Sequence, residues 1–352
     1  MAINLYNVQI EELFINQVGN KTRSEGVIYN EHRTELNDEI RPLVKEFFFK
    51  SFREKDRAWY QFVHETDLDF HEMYRQSINL FSGALKLGDY ARAVSRHMYA
   101  QSNHPHVKPG EVYFAKLSNV MVDNEKFNAI GIFKSELKHD FLQFRTGENQ
   151  LELLLQEGVH LGKLDKGAII INTDQESGFN ILCVDSYKYD TKYWFENVMG
   201  IDALHDDHFH TKKYLKFCQD FAKDVVRPAG DKREELLFMN RAINHFRTHD
   251  TWDQDEFLTE VLGDPGLQAE YEHYKLEKGS KYSIEDLSSF AISNEAIAPA
   301  TKNFKSLIEL DTNVAIKMNF INPESYDKFI EKGWDEERQM YYYLVYFNKE
   351  SK

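Results

Sequence analysis

Long apolar runs, paired cysteines and glycine-rich nucleotide motifs are all missing from this chain, and each gap removes a class of function. Runs such as Ala168 to Ile171 fall far short of the roughly 18 apolar residues that span a bilayer, so no membrane partner is expected. The opening MAINLYNVQIEELF has no basic n-region and carries Glu11 and Glu12 early, so the expectation is a cytoplasmic protein and not a secreted one. Only two cysteines occur among 352 residues. Cys183 and Cys218 fall in a predicted strand and a predicted helix without metal-type spacing; in a reducing compartment they read as buried free thiols, with a long-range disulfide left open by spacing alone. No P-loop, GxGxxG, GxSxG or HExxH pattern occurs, so phosphate-loop, dinucleotide, serine-hydrolase and zincin chemistry have no local support. Solenoid-period repeats and low-complexity segments are absent as well.

What is present is acid and aromatic side chain. With 58 Asp and Glu against 43 Lys and Arg, the formal net charge is -15. A polyanion is repelled by DNA and by anionic membrane, so any nucleic-acid contact must be local. Acid is dense in NEHRTELNDE, HETDLDFHE and TWDQDEFLTEVLGDPGLQAEYEHYKLEKG; base is in excess in RPLVKEFFFKSFREKDR and from Lys212 to Arg247. A hydrophobic content of 42% with 14% aromatics argues for a folded chain.

EVYFAKLSNVMV, FNAIGIFK, FLQF, GAIIIN and FNILCVDSY read as successive strands, closed by the helix-like KYWFENVMGIDAL. Before them, a helix is expected from Asn37 to about Phe52, with Asn37 or Asp38 as N-cap, then helices around Phe70 to Phe81 and Asp89 to Ala100. A helical stretch follows from about 205 to 290, and strands return in NVAIKMNF, DKFIEKGW and QMYYYLVYFN, the last two joined as a hairpin through DEER. The fold class is therefore α+β: an antiparallel β-rich central block, flanking helical segments and a C-terminal antiparallel β-meander. The regions are 1–104, 105–204, 205–290 and 291–352, the first two reading as one domain.

Four groups of residues invite a chemical reading. His205, Asp206, Asp207, His208 and His210, in HDDHFH, carry zinc-, manganese- or iron-type ligands but lack helical i, i+4 pairing. A helix-entry loop with Asp206 or Asp207 as N-cap explains the same residues, so no metal or other cofactor is expected. Asp123, Glu136 and Lys138 resemble the acid plus E-x-K set of two-carboxylate nucleases, a short pattern frequent by chance. In TKKYLKFCQDFAKDVVR, helical spacing puts Tyr214, Phe217, Cys218, Phe221 and Val225 on one face. Lys212, Lys216, Lys223 and Arg227 fall on the opposite face, a row of about 22 Å able to follow several phosphates. Lys213, Lys232, Arg233, Arg241 and Arg247 extend this basic region, which is the candidate DNA contact; an ordinary solvated helix face gives the same pattern. Finally, Phe47, Phe48, Phe49, Phe52, Trp59, Tyr60 and Phe62 cluster beside Arg53, Lys55 and Arg57, where core packing accounts for them better than base stacking. Tyr341 to Tyr343 with Tyr346 and Phe347 read as a half-buried terminal strand.

In sequence order, VQIEELFINQV with ELNDEIRPLVKEFF, GEVYFAKLSNVMVDNEKFNAIGIFKSELK, GAIIINTDQESGFNILCVDSYKYDTKYWFENVMGID, KGSKYSIEDLSSF and AIKMNF together resemble the bacterial 37-kDa nucleoid-associated protein family (NdpA/YejK-like). The resemblance covers most of the chain. It implies a non-enzymatic cytoplasmic protein found with the bacterial chromosome, and it transfers no catalytic or DNA-contacting residue. The leading expectation is weak binding to DNA backbone through Lys212 to Arg247. Recruitment by docking on a DNA-processing enzyme is the alternative, a metal-dependent phosphoesterase the third reading, and a homo-oligomer is compatible with each.

Overall fold

Alternating branched and polar residues over the first two hundred positions fold as one antiparallel sheet. The computed structural model describes residues 1–53, 58–147, 150–186, 192–302, 307–317, 330–347 and 349, divided into two units, Met1–Leu204 and His205–Lys352. The first unit holds strands β1 (Ile3–Asn4), β2 (Gln9–Val18), β3 (Val27–Ile28), β4 (Trp59–Phe62), β5 (Gly110–Val122), β6 (Glu125–Ser135), β7 (Lys138–Thr146), β8 (Leu151–Val159), β9 (Lys166–Ile171), β10 (Asn180–Asp185) and β11 (Ile201–Ala203). Its helices are α1 (Ile40–Phe49), α2 (Glu72–Phe81) and α3 (Leu87–Gln101). The sheet runs β11-β4-β10-β9-β6-β5-β2-β3, with β1 also on β5.

Register places Ile130 of β6 opposite Ile170 of β9, and Ile170 opposite Ile181 of β10. These residues face α2 and α3, packing with Met73, Leu80, Tyr90, Val94 and Met98. Their neighbours Ala129, Phe133, Ile169, Ile171, Leu182 and Val184 point the other way, against Phe47, Phe48, Phe49 and Phe52. Phe48 stacks on Phe133 at 4.1 Å. With both faces covered, the central strand carries a continuous apolar run instead of an alternating one. Each fully buried phenylalanine contributes about 1.5–3 kcal/mol of transfer free energy, and the buried Phe47, Phe48, Phe49, Phe52, Trp59 and Phe62 belong to the core and offer no stacking platform. Lys55 and Arg57 lie outside the described residues.

Three details depart from expectation. The helix-like KYWFENVM forms a π-helical segment, Lys192–Met199, but the residues after it form β11, which pairs with β4 through Ile201 and Phe62. Gly200 makes that break: its φ is +59°, and a Cβ there would collide with His71 Nε2. The β7–β8 hairpin stands off the main sheet, and Leu142, Phe144, Leu151, Leu153 and Leu155, all on one of its faces by register, are each more than half exposed. Helix α1 begins at Ile40, later than the expected Asn37, although Asn37 Oδ1 does accept the Ile40 N–H at 2.8 Å.

The second unit comprises α4 (Asp207–Phe221), a π turn Ala222–Val226, α5 (Arg227–Ala229), α6 (Lys232–Thr248), β12 (Thr251–Asp253), α7 (Gln254–Phe257), a π turn Leu258–Leu262, α8 (Pro265–Lys278), β13 (Ser289–Ala291) and α9 (Asn294–Lys302). Hairpins β14 (Leu307–Glu309) with β15 (Ala315–Lys317) and β16 (Ile330–Asp335) with β17 (Met340–Val345) follow. Within the stretch expected to be all helical, β12 and β13 form a ladder that pairs Trp252 with Phe290, their rings stacked at 5.3 Å. The last hairpin turns at DEER as its sequence predicts, Asp335 Oδ1 accepting the Glu337 and Arg338 N–H groups at 3.0 Å. Its second strand is more open than expected, with Tyr341 and Phe347 about 70% exposed and only Tyr343 packed inward. Residues 318–320 of NVAIKMNF and 327–329 of DKFIEKGW lie outside the described residues. Among the described residues no helix is long and apolar enough to cross a membrane.

Candidate nucleic-acid interface

Helix α4 starts where HDDHFH gives it a cap. Asp206 sits in extended backbone and its carboxylate accepts the Phe209 N–H at 2.9 Å. The helix then buries Thr211, Tyr214, Leu215, Phe217, Cys218 and Phe221. Tyr214 and Tyr271 share a buried hydroxyl–hydroxyl bond of 2.7 Å, and Tyr214 packs on Trp252 at 4.0 Å. Cys183 and Cys218 are both free and buried, and burial pushes both thiols up. The seam continues past Phe221 with a shift: Val226 is buried where Val225 was expected, and Val225 is half-buried. The wide π turn inserts the equivalent of one residue, which also broadens the arc of the lysine row.

On the outer side Lys212, Lys216 and Lys223 are exposed and Lys213 is half-buried, with the Lys213 ammonium 5.2 Å from the centre of the Phe209 ring. Lys216 bonds Asp220 at 2.6 Å. Burial works against charge on Asp220, yet hydrogen bonds from Lys216 and Tyr282 hold its carboxyl below the usual carboxylate range. Further along, Lys232 and Arg227 converge on the buried Glu235, at 2.5 and 3.7 Å, and Arg233 reaches Glu234 at 3.4 Å. Among the described residues Lys223, Arg241 and Arg247 form no ion pair. The basic stretch thus spends part of its charge on neighbouring carboxylates; a surface pair such as Lys216 with Asp220 is worth under about 1 kcal/mol, so a phosphate can compete for it, whereas the pairs on the buried Glu235 are less available.

The other candidate sets are separated in space. His205 stacks on Phe209 at 4.3 Å and His210 packs against Phe290 at 5.7 Å, so with Asp206 occupied as a cap, His205, Asp207, His208 and His210 do not gather ligand atoms around one point. Asp123 lies in the turn before β6 and Glu136 directly after it, so the strand separates them by about 35 Å and they cannot share an ion. Glu136 instead belongs to a buried charge network absent from the sequence reading. Lys134, Lys166 and Asp185 are cross-strand neighbours at the ends of β6, β9 and β10. Lys134 bonds Glu136 at 2.6 Å, Lys166 bonds Asp185 at 3.0 Å and approaches Glu136 at 3.8 Å, all with side chains at most 3% exposed. Asp165 accepts the Glu136 and Leu137 N–H groups at 2.5 and 3.1 Å. Lys138 is drawn off to Glu111 at 3.0 Å. The signal in the sequence was charge closing otherwise apolar strands.

A second set that sequence reading missed lies at the end of α6. His245, His249 and Glu260 bring three ligand-type atoms within 4.8 Å of one another, the one such group among the described residues. Glu256 stands 3.5 Å from His249 Nε2. Burial pushes the His245 imidazole below its usual pKa, partly offset by its bond to Glu260.

No curated protein matches the chain. Residues 15–341, spanning both units, match the family described as nucleoid-associated protein YejK, and the chain belongs to that family.

Proposed function

We propose that this protein is a non-enzymatic nucleoid component that grips DNA backbone weakly, without sequence readout, through the Lys212 to Arg247 region. The observation that carries the reading is a solvent-facing basic row on α4, opposite a fully buried aromatic seam, in an acidic chain of a nucleoid-associated family. Membership of that family puts the protein in the cytoplasm with the chromosome. The overall acidity of the chain requires such a contact to be local, and phosphate contacts position a protein without reading bases.

With about three to five phosphates neutralised, log affinity should fall with log salt at a slope near -0.9 per phosphate. Between about 50 and 200 mM salt that amounts to a loss of roughly 40- to 500-fold. Titration of a fluorescent duplex at the two salt concentrations tests this; affinity that is flat across the range overturns it.

A second reading, association through protein contact, is favoured by the apolar face of β7–β8. A two-stranded ribbon with one bare leucine-rich face is marginal in water by itself. A second copy of this chain fits that face, since two such ribbons can cover each other, and a dimer would hold two basic rows in one molecule. Sedimentation of wild type against Leu153→Lys tests it: a dimer in wild type and a monomer in the variant are expected. Two monomers, with a protein partner in a pull-down that resists nuclease treatment, would favour recruitment through a DNA-processing protein.

A further inference from the structure

The last turn of α6 and the helix that follows β12 face each other with two imidazoles and two carboxylates. His245 and His249 are one helical turn apart; Glu256 and Glu260 are likewise one turn apart, on α7 and its π continuation. Asp253 fixes the start of that second helix by accepting the Asp255 and Glu256 N–H groups at 3.0 and 3.2 Å.

The hydrogen bonds set the state of His249. Its Nδ1 lies 3.0 Å from the carbonyl oxygen of His245, which can only accept, and 3.1 Å from Thr248 Oγ1, whose hydroxyl proton goes to the Asn244 carbonyl at 2.9 Å, so both contacts are met with the proton on Nδ1. In the neutral ring Nε2 is then a bare lone pair. That lone pair faces Glu256 Oε1 at 3.5 Å and Glu260 Oε2 at 3.6 Å, an arrangement of acceptors against acceptor that calls for a cation between them. A ring N–H held by a backbone carbonyl is also how metal-ligating histidines are commonly oriented. His245 Nδ1 sits 3.0 Å from the same Glu260 oxygen, its ring is stacked on His249 at 4.1 Å, and its side chain is 2% exposed.

We infer that His245, His249 and Glu260 form a binding site for one divalent transition-metal ion of the zinc class, with Glu256 beside it. Among the three mutually close ligand atoms, separations of 3.0 Å from His245 and 3.6 Å from His249 to Glu260 Oε2 bracket the ligand-to-ligand edge of about 3.3 Å that bonds of about 2.0–2.1 Å give in a tetrahedron. Mixed imidazole and carboxylate donors suit zinc over calcium or magnesium. Two carboxylates neutralise the ion, and Glu256 and Glu260, nearly half exposed, leave it a path from solvent. With Glu256 or a water in the fourth position, the ion would tie the end of α6 to α7 and its π continuation, within the same unit that carries the basic row.

The test uses the full chain, stripped with a chelator and titrated with Zn²⁺ alone by calorimetry, and with Co²⁺ while following its visible d–d bands. One equivalent of zinc and the bands of four-coordinate cobalt are expected. His249→Asn and Glu260→Gln, both at partly exposed positions, should each weaken binding by at least about tenfold, while His208→Asn leaves it unchanged. Absence of binding in wild type overturns the inference and makes the cluster a hydrogen-bonded His–Glu set held by a proton. Binding that survives both variants, or is lost in His208→Asn, overturns it too, the latter by moving the ion to the HDDHFH loop.

Discussion

Replacing Lys166 by methionine is the sharpest probe of the buried charge network. The substitution keeps most of the side-chain volume and removes the ammonium that stands 3.0 Å from Asp185 and 3.8 Å from Glu136. All three side chains are at most 3% exposed, so water does not make good the loss, and breaking a buried pair from one side costs about 3–5 kcal/mol. For a unit of roughly 200 residues, at about 2–4 °C per kcal/mol, its transition should fall by roughly 6–20 °C. The companion variant Lys166→Met with Asp185→Leu removes both charges and should recover most of the loss, because an apolar pair of similar volume costs little there. Scanning calorimetry of the full-length single and double variants gives the coupling directly; more than about 2 kcal/mol is expected. If the single variant costs no more than the double one, the charges are not coupled and the reasoning from burial is refuted.

Neutralising Lys212, Lys216 and Lys223 together to glutamine should make the salt slope of DNA binding shallower by about 2.7, measured by the same duplex titration; an unchanged slope would mean another face binds. Tyr271→Phe leaves the buried Tyr214 hydroxyl without the bond of 2.7 Å it shares with Tyr271. It should cost about 1–3 kcal/mol by urea unfolding, against near zero if water replaces that bond. His71 is lowered chiefly by burial, with the Gly200 carbonyl as the main opposing influence, and its neutral ring makes both bonds, Nδ1 accepting from Tyr74 N–H at 3.1 Å and Nε2–H donating to Gly200 at 2.9 Å. Above about pH 6.5 both folded and unfolded forms are neutral and this stability is complete. As pH falls, the unfolded chain takes the proton first, so stability is lost down through the depressed folded pKa. Melting temperature should therefore drop from pH 7 to 5, and less steeply in His71→Gln; parallel curves would exclude His71 as a contributor.

The sheet was legible because its strands alternate or, in GAIII, run apolar between turns, and because burial on two faces leaves a mark in composition. The cap at Asp206 and the DEER turn were legible for the same local reason: one side chain satisfies nearby backbone N–H groups. Strand β11 was not, since IDA reads as helix until Gly200 is seen in left-handed backbone against His71. Neither were the π turns, which shift a helical seam by one residue without changing its composition, as Val226 in place of Val225 records. The burial of Lys166 and Asp185 was not readable because each is neutralised by a partner on another strand, and nothing local marks Lys134 and Glu136, two residues apart, as a buried pair. The His–Glu cluster escaped because its two i, i+4 pairs lie on different helices, and only the turn through β12 brings them face to face. Of the basic row, the amphipathic face was readable, while the ion pairs that consume part of its charge were not.

Strand β4 lies in the sheet between β10 and β11, and this fixes an order of events during synthesis. Trp59 pairs with Leu182 and Phe62 with Ile201, partners made about 120 to 140 residues later. At about 5–20 residues per second, the ribosome needs roughly 6–28 s to supply them. Until then Trp59 and Phe62, both buried in the finished unit, have no strand to pair with. The nascent chain therefore emerges with an apolar edge uncovered, and the first unit can close only once residues near Leu204 have left the exit tunnel.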